Sequence, residues 1–427
     1  MGCFDLRPSA REAIRLRTSV FTLTMLGSFA ATTVMADALP PFPELLRQSE
    51  KLSPRLIEGE ANLQAAQGLA RQSAALPNPT ISYQSENFDG SNNFSRISPV
   101  QNTLSLSETV EIGGKRSARI AAQAANVQAA MAGYGELRTD FAQDLATAYA
   151  NCEVAGLRVQ LMQEELTRAT EDERAAKLLV EAGRESDLRA IQAHAGVANT
   201  EADLESARAD LTEALIRVAT LAGTSQPYTD VRPLLLRSAD TLVLPPEELP
   251  SQAPVLRAAE AQRDAAARRV EMERKRPISD ITVSVGTRRL AGLDATALVA
   301  GVSVPLPLFD RNRGAIAAQL AELHAADARL NSVRLELEGN WRAAFAQARA
   351  AVLRLKASNE SEAAAREAYR LARIGYDAGR TPLIELLGIR RALSDAQLRA
   401  AEARLTRVRA QITLSHLAGH IPFEDAP

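Results

Sequence analysis

The spacing of proline sets the scale of what this chain can build. No proline occurs between Pro99 and Pro227, between Pro307 and Pro382, or between Pro382 and Pro422. Proline costs about 3 kcal/mol inside a helix, because it lacks the N–H and clashes with the preceding turn, so these stretches permit very long helices. They are filled with Ala, Leu, Arg and Glu, the residues of long helices. One helix is expected from Lys115 to Ala182, stopped by Gly183, with Ser186 and Asp187 as the cap and first turn of the next, which runs to Ala222. In the second half a helix from Arg311 to Ala378 would span roughly 100 Å at a rise of 1.5 Å per residue. Gly379 stops it; Thr381 caps the next helix, with Pro382 at its first position, and that helix runs to Ala418. No single globular core is about 100 Å across, so these helices are expected to pair as antiparallel coiled-coil hairpins projecting from something else.

The two halves repeat. Ala182-Gly183-Arg184 returns as Ala378-Gly379-Arg380 and Leu221-Ala222-Gly223 as Leu417-Ala418-Gly419, each 196 positions on. Lys115-Arg116-Ser117-Ala118 answers Asn312-Arg313-Gly314-Ala315 at 197. Between them lies a proline-rich connector. The expected organisation is a leader over 1–36, a first repeat over 37–223, a connector over 224–254, a second repeat over 255–419 and a tail over 420–427. A shorter helix, Val255 to Arg276, opens the second repeat; its counterpart is the segment from Phe42 to Ala75. The two short helices of each half, laid end to end, would match the long helix beside them.

The first 36 residues read as an address. Arg7, Arg11, Arg15 and Arg17 form a basic start, a mostly apolar stretch runs from Val20 to Val34, and Val34-Met35-Ala36 offers a cleavage site before Asp37. An uncleaved anchor helix is the alternative. Cleavage removes Cys3, leaves Cys152 alone, and takes four arginines and two acids, moving the formal charge from −2 to −4. No lipid anchor at the new N-terminus is expected. That charge excludes a strongly basic nucleic-acid binder. His194, His324, His416 and His420 are scattered, and the last two read as a surface pair rather than a metal site. No nucleophile–base pair or phosphate loop appears, so neither an enzyme nor a cofactor is expected.

A β-hairpin precedes each long helix. Strands are expected over Thr80–Phe88 and Thr103–Val110 in one half, and over Asp280–Thr287 and Leu298–Leu306 in the other. Ile281, Val283 and Val285 alternate with Thr282, Ser284 and Gly286, and Leu104 and Leu106 with Ser105 and Ser107. Such strands come close to the length of about 9 to 11 residues that crosses a bilayer when tilted. Tyr83, Phe88 and Phe94 would suit the interface. A soluble sheet with one wet face is the alternative. If the strands do cross a membrane, four cannot close a barrel and an open edge is not tolerated in lipid, so several chains must share one.

Several stretches resemble the TolC family of outer-membrane channel proteins, in particular its CzcC-like, cation-efflux branch. They are Leu76-Pro77-Asn78-Pro79, Glu86-Asn87-Phe88, the run Leu104 to Arg116 with Glu111-Ile112-Gly113-Gly114-Lys115-Arg116 at its end, and the run Val302 to Gly314 containing Pro305-Leu306-Pro307. The resemblance covers essentially the whole chain after residue 36. It implies a mainly α fold with a small β component: long antiparallel coiled-coil hairpins plus four transmembrane strands per chain, three chains forming a 12-stranded barrel continued by an α-helical tunnel. It implies a homotrimer in the outer membrane of a Gram-negative bacterium, in contact with lipid and reaching far into the periplasm. There it would meet a periplasmic adaptor and an inner-membrane RND transporter, exporting heavy-metal cations passively with no cofactor. Export of drugs or of a type I secreted protein is the alternative within the class. A periplasmic coiled-coil scaffold without a pore is the alternative outside it.

Site residues follow from that frame. Pro79, Pro305 and Pro307 would stop strand and helix at the barrel-to-helix junction, where Gly113 and Gly114 allow a tight turn. Lys115, Arg116, Arg311 and Arg313 lie just beyond, where they would meet lipid headgroups or helix-cap acids, a solvated helix start being the alternative. Gly183, Arg184, Gly379 and Arg380 form tips that the resemblance places against the adaptor. Glu385, and with weaker correspondence Asp187, stand where the family carries acids lining the periplasmic aperture. A plain helix first turn gives both acids a sufficient reason on its own. Gly388 stands where some members have a second acid.

Overall fold

In a computed structural model, residues 38–88, 100–226, 228–239, 241–248, 250 and 252–423 are described. The leader, Phe94 and Pro227 lie outside them. The elements in chain order are α1 (Phe42–Leu52), α2 (Pro54–Ser73), β1 (Thr80–Glu86), β2 (Gln101–Val110), α3 (Lys115–Glu181), α4 (Asp187–Ala222), α5 (Leu234–Ser238), α6 (Pro254–Lys275), β3 (Ile281–Leu290), β4 (Ala295–Ser303), α7 (Arg313–Asp377) and α8 (Leu383–Ala418).

The proline-free stretches become α3, of 67 residues, and α7, of 65. Each ends in a glycine with positive φ, Gly183 (+67°) and Gly379 (+70°). Arg184 N–H then donates to Leu179 O at 2.8 Å and Arg380 N–H to Gly375 O at 2.7 Å, which caps the orphan carbonyls of the last turn. Gly223 and Gly419 end α4 and α8 in the same way.

The short helices do stack end to end. α2 and α4 both pack along α3, and α6 and α8 both pack along α7. At the first joint a Cβ on Gly223 would lie 2.5 Å from the Leu52 carbonyl oxygen, immediately before α2 starts. At the second, a Cβ on Gly419 would lie 2.7 Å from Pro254 Cδ, at the start of α6.

Several boundaries differ from the sequence reading. The segment from Phe42 to Ala75 is two helices, because Ser53 is extended (φ −66°, ψ 120°) ahead of Pro54, which cannot continue a hydrogen-bond ladder. α1 therefore has no counterpart in the second half. Pro382 is the N-cap of α8 and Leu383 its first residue, one position later than expected. Asn312, with φ +57°, takes the left-handed cap position that Gly114, with φ +76°, takes before α3, so Asn312 answers Gly114 rather than Lys115. β1 stops at Glu86, where Asn87 turns to φ +60°, and β2 begins two residues earlier than expected. β3 continues to Leu290 and β4 covers Ala295–Ser303, ending before Pro305 and Pro307, which have no N–H for the ladder.

The thickest core lies midway along the long helices. Phe42, Leu45, Phe141, Leu145, Tyr149, Val218, Val408 and Ile412 are all fully buried there. Phe42 meets Tyr149 edge to face at 5.7 Å, and the tyrosine hydroxyl donates to Pro40 O at 3.1 Å. Three buried groups from three long helices bind the connector. The Glu153 carboxylate accepts the N–H groups of Leu234, Leu235 and Leu236 at 2.8–2.9 Å. Arg407 donates to Leu242 O at 2.7 Å, and Trp341 Nε1–H to Glu247 O at 2.9 Å. Burial pushes the Glu153 carboxyl up to about 7, against the pull of its three N–H donors.

Candidate functional site: a bare sheet and two helical tips

The four strands form one antiparallel sheet in the order β1-β2-β3-β4, leaving β1 and β4 as open edges. Register sorts the side chains by face. Ile81, Leu106, Val285 and Ala300 share one row of one face; Tyr83, Leu104, Thr287 and Leu298 share the next. The opposite face carries Ser82, Ser105, Gly286 and Val299, then Thr80, Ser107, Ser284 and Gly301. In a soluble sheet the apolar face would be covered. Here it is the naked one: Ile81 is 74% exposed, Leu298 79% and Val302 71%, and among the described residues no helix packs against any strand to a significant extent. In β2 and β3 the polar residues are the more sheltered set. That inverts the pattern of a half-buried strand. The sheet closes up on its polar side, where a Cβ on Gly286 would come within 2.7 Å of Ser105 Cβ, and Ser82 and Ser105 share a 2.7 Å hydrogen bond. Two charges interrupt the apolar face, Glu108 and Arg289, one toward each end. No helix among the described residues is long and apolar enough to cross a membrane.

At the junction, Gly113 and Gly114 both take positive φ, and a Cβ on Gly113 would collide with the Ile278 side chain. Lys115 pairs with Asp280 at 2.5 Å, and Arg116 donates to Ala74 O at 2.7 Å, so these two cations serve helix ends and neighbouring acids. Arg311 and Arg313 are exposed. Ser279 Oγ donates to Pro305 O, tying the entry of β3 to the exit of β4.

At the far end the two hairpin tips meet. Ala176, Ala193 and Leu383 form a small buried cluster with Tyr376 and Leu387 against it. Gly183, Arg184, Gly379 and Arg380 are exposed on the turns, and Asp187 and Glu385 are exposed in the first turns of α4 and α8. Just inward lies a group that sequence reasoning missed. Arg390, 5% exposed, reaches from α8 to Asp172 at 2.7 Å and Glu165 at 3.2 Å on α3, both also buried. Burial raises both carboxyl pKa values while the guanidinium lowers them. The signal was present in the heptads: Leu383, Leu386, Arg390 and Leu393 follow a 3-4-3 spacing, as do Met162, Glu165, Ala169, Asp172 and Ala176. Charges of opposite sign standing in two apolar seams foretell a partnership.

His416 Nε2 lies 2.7 Å from Asp140, joining α8 to α3. Among the described residues no group of three or more His, Cys, Asp or Glu is arranged to hold a metal ion. Cys152 is buried, which pushes its thiol up to about 12.

One hairpin-and-sheet unit thus occurs in both halves, with a naked apolar sheet at one end and paired helical tips at the other. The family model "Outer membrane efflux protein" matches residues 45–224 and 246–420, and the chain belongs to that family. It is 39% identical over 412 residues to the nickel-cobalt-cadmium resistance protein NccC of Alcaligenes xylosoxydans xylosoxydans, covering 96% of this chain and 94% of that one. It is 43% identical over 391 residues to the nickel and cobalt resistance protein CnrC of Cupriavidus metallidurans, covering 92% and 93%. Among solved structures, the outer membrane protein VceC of Vibrio cholerae superposes with a TM-score of 0.73 at 20% identity, over 89% of this chain and 96% of that one. The fold is therefore TolC-like, and family and fold are those of channel proteins rather than enzymes.

Proposed function

We propose that the chain is the exit duct of a tripartite efflux system, working as a homotrimer in the outer membrane of a Gram-negative bacterium and passing heavy-metal cations passively outward. One observation carries the reading: a four-stranded sheet whose apolar face is bare and whose two edges are free. Lipid satisfies the first and neighbouring copies satisfy the second, since β4 of one chain beside β1 of the next continues the ladder until it closes. Three copies give twelve strands, and their long helices continue the wall into the periplasm. The cargo is read from relatives named for nickel, cobalt and cadmium resistance.

In this reading the exposed tips at Gly183, Arg184, Gly379 and Arg380 receive a periplasmic adaptor, which links the channel to an inner-membrane RND transporter. Glu385, threefold repeated, forms a ring attractive to cations at the aperture, with Asp187 contributing less. The leader over 1–36 is removed on export.

The central test is reconstitution of the purified protein in liposomes, together with deletion of its gene. A membrane-embedded, conducting protein and a strain sensitised to nickel, cobalt or cadmium are expected. A soluble, non-conducting protein would leave a periplasmic scaffold. A strain sensitised to drugs or defective in secretion, with metal tolerance intact, would change the cargo. At the tips, Arg184→Asp with Arg380→Asp should weaken adaptor binding and efflux. Glu385→Gln should alter cation block in single-channel records.

A further inference from the structure

On the polar face the described strands carry charge only near the hairpin end. Among the described strand residues, Glu86 and Arg288 are the two charged groups on that face, and they stand in adjacent rows at the hairpin end, away from the helices. Glu86 shares a row with Gln101, Leu290 and Ala295; Arg288 shares the next with Gln84, Thr103 and Ala297. Everything nearer the helices on this face is Ser, Thr, Gly or Val. Arg288 is held across the sheet. Its Nε donates to Thr103 Oγ1 at 3.0 Å, its Nη1 to Gln101 Oε1 at 3.5 Å, and its Nη2 lies 3.9 Å from Glu86 Oε2. Glu86 Oε1 also accepts from Gln84 Nε2 at 3.0 Å. Arg289, the next residue, points to the opposite face, is exposed, and pairs with Asp294 in the hairpin turn at 3.3 Å.

We propose that Arg288 is a selectivity-determining residue at the outward mouth of the barrel, keeping the adjacent Glu86 neutralised so that metal cations leave without being held there. The inference rests on the channel reading above, which turns the polar face toward the lumen. Rings of charged side chains set which ions a wide pore favours. An unpaired carboxylate is an oxygen ligand for dications, and each copy in the ring would add one. A guanidinium fixed by two hydrogen bonds beside each carboxylate cancels that attraction at the last charged level of the strands. The arrangement suits a duct whose cargo is itself cationic, because a site that binds the cargo at the exit slows its release.

The test is the reversal potential of the reconstituted channel in a potassium chloride gradient at low ionic strength, where screening is weakest. Relative to wild type, Arg288→Ala and the length-preserving Arg288→Gln should shift toward potassium selectivity. Both should become sensitive to block by nickel chloride added on the hairpin side. Glu86→Gln should shift toward chloride, Glu86→Gln with Arg288→Ala should return to the wild-type value, and Arg289→Ala should match wild type throughout. A conducting wild type whose selectivity and nickel response are unchanged in both Arg288 variants would overturn this proposal alone. A wild type without conductance would overturn the channel reading and this proposal with it.

Discussion

The helices α3 and α7 hold equivalent places in the two halves of the chain, yet they live in different surroundings. α3 packs against α2, α4, α6 and α8 and buries Phe141, Leu145 and Tyr149 completely. α7 packs substantially against α6 and α8 alone. Its outer face leaves Leu335 at 72%, Leu353 at 70% and Leu371 at 55% exposure. The first copy has become a central pillar, with α1 and the connector wrapped around it. The second has kept an unfinished surface. The two helices are nearly equal in length and share their glycine stops, and differ in what packs around them.

The contrast can be broken by mutation. Phe141→Ala should cost roughly 3–5 kcal/mol, because a large side chain leaves a cavity that the pillar cannot refill. Leu353→Ala should leave the chain's own stability nearly unchanged. Thermal melts of the detergent-solubilised protein check this, and equal losses at both positions would erase the distinction between the helices.

Arg390→Ala should cost about 3–5 kcal/mol, since it leaves Glu165 and Asp172 buried without their shared cation. Replacing all three with apolar residues of similar size should recover most of the loss. If the single variant melts like wild type, the seam charges do not hold α8 to α3.

Glu153 gives the pillar a pH dependence of its own. Its carboxyl is raised from 4.5 to about 7 in the folded chain, so its contribution is fully present below about pH 4.5 and is lost as pH rises through 7. The difference amounts to about 3 kcal/mol at most. Glu153→Gln should flatten that slope in melting temperature against pH. It should also lower stability at low pH, because an amide nitrogen would face the Leu236 N–H. A slope unchanged by the substitution would rule out a raised carboxyl.

The smallest effects should come from glycine. Gly183→Ala and Gly379→Ala, at positive φ with open space around the Cβ, should each cost about 1 kcal/mol of backbone strain. Gly223→Ala and Gly419→Ala should cost more, because the new Cβ also strikes the neighbouring helix start. Melting temperatures of the four variants rank them, and equal losses would mean that the joints are not tightly seated.

Much of this was legible in the sequence because its signals are local. Proline gaps, glycine stops and strand alternation each act within a few residues, so both long hairpins and both β-hairpins could be read to within a few positions. Boundaries slipped where backbone geometry outweighed composition, at Ser53-Pro54 and at Asn312. The Arg390 seam was readable in principle, since heptad spacing isolates it, but a charge in a seam declares its partner only when two helices are brought together. The connector was not readable. Glu153, Arg407 and Trp341 bind carbonyls and N–H groups of a segment without periodicity, far away in sequence. Alternation alone did not say which face of the sheet is covered; strand length and the resemblance pointed to strands in a membrane, and the bare apolar face fits that expectation.

Each half of the molecule pairs one unbroken column with one jointed column. The hydrogen-bond ladder of α3 runs without interruption from the edge of the sheet to the tip at Gly183, and that of α7 does the same to Gly379. Beside them, α4 ends against α2 and α8 against α6, and among the described residues no backbone hydrogen bond crosses either joint. α3 and α7 therefore link tip to sheet through one continuous ladder each, while α4 and α8 meet α2 and α6 through close packing at Gly223 and Gly419 alone. The far half of each column is uncoupled from the near half in only one of its two members.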